Sequence, residues 1–185
     1  MSRDPSVPAV EIPRSALAML SHRCAALGTD GVRALREAGY RAGVTIVASV
    51  HDRPERMGMS AFWRGLDDTF GAAGLGSIRF EIVSPAIGAI AWKGSTEASG
   101  TRSERPGVQC HFAAGLLGGV LSRAAGKTVD VLEIRCGAGG DQPCWFLFGA
   151  VANMRSVHAA RQTAARRRPG LEASTSDTPA TGTTP

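Results

Sequence analysis

The sequence has no apolar run long enough to cross a bilayer, and its first fifteen residues lack the apolar core of a secretory signal. These absences exclude a transmembrane protein and predict a reducing, cytoplasmic environment. Aromatic residues make up only 5% of the 185 residues, but 43% are apolar, and Gly and Pro stay below the level of low-complexity sequence. This composition predicts one folded domain with a hydrophobic core.

The sequence also lacks a basic surface spread over its folded part. The formal net charge is +5. The five arginines between Arg155 and Arg168, a stretch without acidic residues, account for all of it. Charge runs of this kind are usually solvated helix ends, so we predict that nucleic acid is not a partner.

Hydrophobic periodicity divides the chain into helices followed by strands. Apolar residues at helical spacing predict helices over 12–27, 29–50 and 59–70, of which the first two form a hairpin, and Gly39 and Gly43 permit close packing of the second. Alternation after residue 77 predicts four strands. Their predicted positions are 77–84, 88–92, 127–135 and 144–149.

A strongly apolar, glycine-rich helix over 108–125 separates the second strand from the third. N-terminal helices and a four-stranded, mostly antiparallel sheet with one buried helix give an α+β fold. We predict a flexible lead over 1–11, one domain over 12–150, a basic helical extension over 151–168, and a disordered Thr/Ser/Pro-rich tail over 169–185.

Recognisable catalytic and nucleotide-binding motifs are missing. The glycine-rich segment 71–76 precedes a strand instead of following one, and segment 137–140 has no helix after it and no Lys-Ser/Thr. No nucleophile with an assignable base and no convergent pair of carboxylates is visible. We therefore favour a binding domain over an enzyme.

Three of the four cysteines fall within 35 positions. Cys110 heads the buried helix, Cys136 ends the third strand and Cys144 begins the fourth, so a hairpin brings the last two together. In a reducing environment converging thiols are metal ligands or ordinary core residues rather than disulfides. Cys24 lies within the first helix, where a small core residue is expected.

Glu133 lies three residues before Cys136, where an unpaired carboxylate would be costly to bury. Zinc takes four ligands from Cys, His and carboxylates, and Glu133 with the three cysteines would complete such a set. The strand must bend near 135–137, because residues three apart on a regular strand face opposite sides. Spacing alone leaves both a zinc site and plain buried thiols open.

The stretch CHFAAGLLGGVLSRAAGKTVDVLEIRCGAGGDQPCWFLFG resembles the 4-vinyl reductase domain family, which has a TRAPP-like α/β fold. Both have a Cys-headed, glycine-rich helix, a strand ending in Glu-x-x-Cys, and a second Cys-headed strand. ALREAGYRAGVTI and WKGSTEAS also fit, so the similarity spans about residues 12–150. The family includes sensory domains of phenol-responsive transcriptional activators, which hold a structural zinc with three Cys and one Glu. The resemblance implies four zinc ligands here: Cys110, Glu133, Cys136 and Cys144.

The resemblance also places Trp92, in WKGSTEA, at a tryptophan that lines the aromatic-ligand pocket. Its indole N–H is a natural donor in an apolar cavity. Phe62, Trp63 and Phe112 would complete the wall, although plain core packing is the alternative for the two phenylalanines. The histidine that binds the ligand hydroxyl in the phenol sensors has no counterpart near residues 62–64, which argues against phenol itself.

We predict a zinc-stabilised domain that binds or senses a small hydrophobic or aromatic molecule and signals to a separate effector protein. The alternatives are an accessory or reductase-type protein of bacteriochlorophyll or other tetrapyrrole metabolism, and a structural dimer module. A reductase would lack a nicotinamide or flavin motif. The Ala/Gly-rich helix 29–50 is expected to bury poorly within one domain, and the resemblance implies pairing through the N-terminal helices, so we predict a homodimer.

Overall fold

The computed structural model describes residues 12–50, 58–99, 110–137 and 142–166. The predicted lead over 1–11, the predicted tail over 169–185 and the last two residues of the basic extension lie outside these ranges. The described elements are α1 (Arg14–Ala25), α2 (Thr29–Val50), α3 (Met59–Ala72), β1 (Ser77–Ser84), β2 (Ile87–Lys93), α4 (Thr96–Ser99), α5 (His111–Ala125), β3 (Val129–Arg135), β4 (Cys144–Ala150) and α6 (Val151–Arg166).

The four strands form one sheet in the order β1-β2-β4-β3, and every neighbouring pair is antiparallel. The predicted α+β class is confirmed. The register aligns Phe80 with Ile90 and Ile90 with Phe146, so these three side chains share one face of the sheet. That face carries the hydrophobic core.

Helix α5 lies in the middle of the core, between this face and α2. Ten consecutive residues, 113–122, are buried, which explains why the helix is apolar on every side. It begins at His111, with Cys110 at the N-cap rather than in the first turn as the sequence suggested.

Helix α2 buries a stripe of residues spaced four apart along its length. The stripe consists of Gly31, Leu35, Gly39, Gly43 and Val47. A Cβ at Gly43 would lie 2.1 Å from the Leu116 carbonyl oxygen, and one at Gly119 of α5 would lie 2.0 Å from the Tyr40 carbonyl oxygen. The two helix backbones therefore touch, and the expectation that α2 buries poorly within one domain is wrong.

The remaining helices cover the edges and the second face. Phe62, Leu66 and Phe70 turn one side of α3 into the core beside β1. Helix α1 packs against both α2 and α4, and α6 packs against β3 and β4, where Met154 is fully buried beside Gly149. Across the described part of the chain, no helix combines the length and the apolar character that a bilayer span requires.

Candidate functional site

The three predicted cysteine ligands meet at the N-terminal end of α5. The Cys110 Sγ lies 3.7 Å from the Cys136 Sγ and 3.6 Å from the Cys144 Sγ, and the last two sulfurs are 4.0 Å apart. Together with a carboxylate oxygen of Glu133, the four ligand atoms lie within 4.8 Å of one another. We call these four residues the thiol–carboxylate cluster.

A bulge in β3 lets Glu133 and Cys136 face the same point. Glu133 pairs with Phe146 and Arg135 with Trp145, so two residues of β3, Ile134 and Arg135, oppose one residue of β4. The extra residue shifts the alternation of side chains by one. The bend that the sequence requires is therefore present, one residue earlier than the predicted 135–137.

The cluster is held in place from the backbone. The Cys110 N–H donates to Glu133 Oε2 at 2.9 Å, and the Gly137 N–H donates to the Cys144 Sγ at 3.3 Å. Glu133 is only 1% exposed, and Cys110 and Cys144 are equally buried. Solvent therefore contributes little to stabilising charge at this point.

The electrostatics of the cluster resist full ionisation in the absence of a cation. Hydrogen bonds from Cys110 and Cys136 hold the pKa of Cys144 well below its usual range, whereas hydrogen bonding with the other two thiols, followed by burial, raises the pKa of Cys110. One thiolate thus forms at the expense of the next. A bound metal ion would offset the combined negative charge, and the cluster provides a donor set that could bind one.

A second buried carboxylate, which the sequence analysis missed, lies at the same helix end. Glu97 of α4 accepts hydrogen bonds from Phe112 N–H at 3.1 Å and from Ala113 N–H at 2.7 Å. Burial raises the pKa of Glu97 to about 7, against the two N–H groups, which favour the ionised form. The only sequence signal was an acidic residue in WKGSTEAS, which indicated nothing beyond a short helix.

The predicted aromatic wall divides between two ring clusters. Trp92 lies against Phe70 and Phe146, with ring centroids 4.9 and 6.1 Å away, and is 2% exposed. Its indole N–H donates to the Leu75 carbonyl oxygen at 2.8 Å. The N–H that the resemblance assigns to a ligand is therefore used within the chain, and Trp92 would meet a ligand only through its ring.

Trp63 has the complementary arrangement. It stacks on Phe80 at 4.4 Å with an interplanar angle of 6°, and its edge meets Phe62 at 5.2 Å and Phe148 at 6.0 Å. Its Nε1 is buried and has no hydrogen-bond partner among the described residues. Phe112 has no ring contact in the described part of the chain and touches α2 through its backbone at Gly39.

The cluster lies within a segment that matches a known family. Residues 89–150, about a third of the chain, match the family model of the 4-vinyl reductase domain. The match contains the whole thiol–carboxylate cluster, and it confirms the predicted resemblance to that family. No curated protein matches the chain.

Several solved structures are similar to this chain. The phenol-responsive sensory domain of the transcription activator PoxR, solved with phenol, is 17% identical, with a TM-score of 0.65 over 83% of this chain and 82% of that one. A trafficking protein particle complex subunit 3 from Naegleria fowleri, covalently bound to palmitic acid, is 13% identical, with a TM-score of 0.52 over 74% and 93%. A vinyl-4-reductase family protein from Methanocaldococcus jannaschii is 20% identical, with a TM-score of 0.49 over 76% and 82%. The first two similarities show a shared fold.

Proposed function

We propose that this chain is a small-molecule sensing domain whose ligand is apolar or aromatic and carries a hydrogen-bond acceptor. The observation that carries the proposal is the Trp63 N–H, which is buried among Phe62, Phe80 and Phe148 without a partner in the described residues. A buried donor left unbonded costs about 1–3 kcal/mol. An acceptor atom on a ligand would recover that cost, and the surrounding rings suit an aromatic body.

The similarity to the PoxR sensory domain supports the same class of ligand, because that domain was solved with phenol. In our proposal the chain senses the ligand and signals through a separate effector protein in the cytoplasm. Trp63 takes the donor role that the sequence analysis gave to Trp92. The Trp92 ring would then contribute only apolar contact.

The ligand proposal is tested by calorimetric titration of the full chain with phenol, a panel of larger aromatic alcohols and ketones, and protoporphyrin IX as a tetrapyrrole probe. The Trp63→Phe variant keeps an aromatic ring and removes the N–H, so its affinity should fall about fivefold to tenfold. Trp145→Phe is the matched control. Trp145 also has a buried Nε1 without a described partner, but its side chain lies on the other face of the sheet.

The proposal fails if no aromatic compound binds, or if Trp63→Phe binds as tightly as the wild type. Saturable binding of protoporphyrin alone would favour the tetrapyrrole alternative. Trp92→Ala is a poor test, because removing a core side chain that is 2% exposed should cost about 3–5 kcal/mol of stability whatever the ligand.

We further propose that the thiol–carboxylate cluster holds zinc. A tetrahedral zinc ion with Zn–S bonds of about 2.3 Å requires sulfurs about 3.8 Å apart. The three sulfur separations of 3.6, 3.7 and 4.0 Å lie close to that value. Zinc would supply positive charge that ties α5 to the β3–β4 hairpin.

Elemental analysis of protein purified without chelator should find about one zinc per chain. Cys144→Ser should abolish the bound zinc and lower the melting temperature sharply, since structural zinc contributes directly to folding. Cys24→Ser, a thiol outside the cluster, should change neither quantity. Zinc well below one equivalent, together with unfolding that EDTA leaves unchanged, would reject the site.

The homodimer is also a proposal, with α1 as its surface. Met19 and Leu20 of α1 are 62% and 60% exposed, and Leu27 just after it is 77% exposed. A second copy that covered these side chains would remove apolar surface from water. Light scattering should give twice the 19.2 kDa chain mass, and Leu20→Lys should reduce it to one. A wild-type mass of one chain at all concentrations would reject the dimer.

A further inference from the structure

Glu97 supplies a helix cap from outside the helix. The first N–H groups of a helix have no partner within it, and a side chain of the N-cap residue usually accepts from them. Cys110 is the N-cap of α5 and makes no such bond. The Glu97 carboxylate, delivered by α4, accepts from Phe112 and Ala113 instead.

Two carboxylates therefore divide one helix end between them. Glu133 accepts the N–H of Cys110 itself, and Glu97 accepts the two N–H groups that follow in the first turn. Glu97 is 5% exposed, and its ligand atoms are not part of the group that lies within 4.8 Å. Glu97 thus acts on the cluster through the backbone and does not join it.

We propose that Glu97 is a positioning residue of the metal cluster, because it fixes the first turn of α5 and with it the place of the Cys110 sulfur. The inference rests on the proposed metal site and names a residue that governs it. Cys110 contacts both other sulfurs at 3.6 and 3.7 Å, so a small rotation of the first turn would break both spacings at once. Residues that orient metal ligands typically change metal affinity 10- to 100-fold.

The experiment measures zinc affinity by chelator competition, and the absorption spectrum of the Co²⁺-loaded protein, for the full chain and three variants. Glu97→Ala should weaken zinc binding 10- to 100-fold and alter the cobalt spectrum. Glu97→Gln should recover part of the affinity, since its amide oxygen still accepts one N–H. Glu37→Ala removes an exposed carboxylate of α2 and should match the wild type.

A second readout needs no metal. In chelated protein, alkylation by iodoacetamide should reach Cys110 several times faster in Glu97→Gln than in the wild type, while the rate at Cys144 stays the same. If this result appears in a wild type that binds no metal, the positioning of Cys110 is supported although the zinc proposal has failed. Unchanged cobalt spectra, zinc affinity and Cys110 alkylation in the Glu97 variants would overturn the inference, even if their melting temperatures fall.

Discussion

The two halves of α5 are held in different ways. Its N-terminal end is fixed by charge and hydrogen bonding, through Glu97, Glu133 and the thiols around Cys110. Its middle is fixed by shape, where Gly115 and Gly119 lie against the backbone of α2. The first end responds to protons and cations, and the second responds only to added volume. One helix can therefore carry an adjustable site on a rigid base.

The largest expected effect breaks the rigid half. Gly119→Ala should destabilise the protein by at least about 3 kcal/mol, because its methyl group would lie 2.0 Å from the Tyr40 carbonyl oxygen and two backbones would have to separate. Gly118→Ala is the matched control. Its methyl group would find no atom closer than 3.8 Å, so it should gain roughly 0.5–1 kcal/mol from helix propensity. Urea denaturation compares the two, and equal shifts would refute the steric account.

The pH dependence sharpens the charged half. Burial raises the pKa of Glu97 from 4.5 to about 7, so ionisation costs more in the folded chain than in the unfolded chain. The contribution of Glu97 to stability should therefore fall as pH rises from 4.5 to about 7 and stay constant above that, by up to about 3 kcal/mol in all. Glu97→Gln should lack this component.

Melting temperatures between pH 5 and 8, taken with a chelator present so that metal binding does not contribute, give the difference between wild type and Glu97→Gln. The wild type should lose ground to the variant as the pH rises. A difference that is independent of pH would show that Glu97 keeps one charge state throughout.

The smallest effect concerns the strand that carries Glu133. Arg161 of α6 donates to the Glu133 carbonyl oxygen and so steadies β3 beside the cluster. Arg161→Met should weaken zinc binding about fivefold, the value of one hydrogen bond near 1 kcal/mol. Arg155→Met, an exposed arginine of the same helix, is the control. Equal zinc affinity in both variants would remove Arg161 from the account.

The sequence supported the fold and the composition of the cluster because both leave local traces. Periodicity revealed the helices and strands, and the phase conflict between Glu133 and Cys136 required a bend before any coordinates were known. Boundaries differed by a few residues. The strand β3, for example, begins at Val129 and not at residue 127.

Contacts to backbone groups could not be predicted, because every residue offers the same groups. Nothing in the sequence marks the Leu75 carbonyl oxygen as the acceptor for Trp92, or the Phe112 N–H as a donor to Glu97. The glycines of α2 announced close packing but not its partner. The sequence analysis assigned that packing to a second chain, and the fold uses it within one.

The bulge in β3 also bears on how this site tolerates insertions and deletions. Beyond the bulge, Arg135 pairs with Trp145 just as a residue directly after Glu133 would in a regular strand. The side chain of Ile134 is 39% exposed and contributes nothing to the cluster. Loss of Ile134 would therefore leave a glutamate and a cysteine two apart on the same face, opposite the same residues of β4. Chains with Glu-x-Cys and chains with Glu-x-x-Cys can form the same donor set, and an alignment that forbids a gap at this position would separate them.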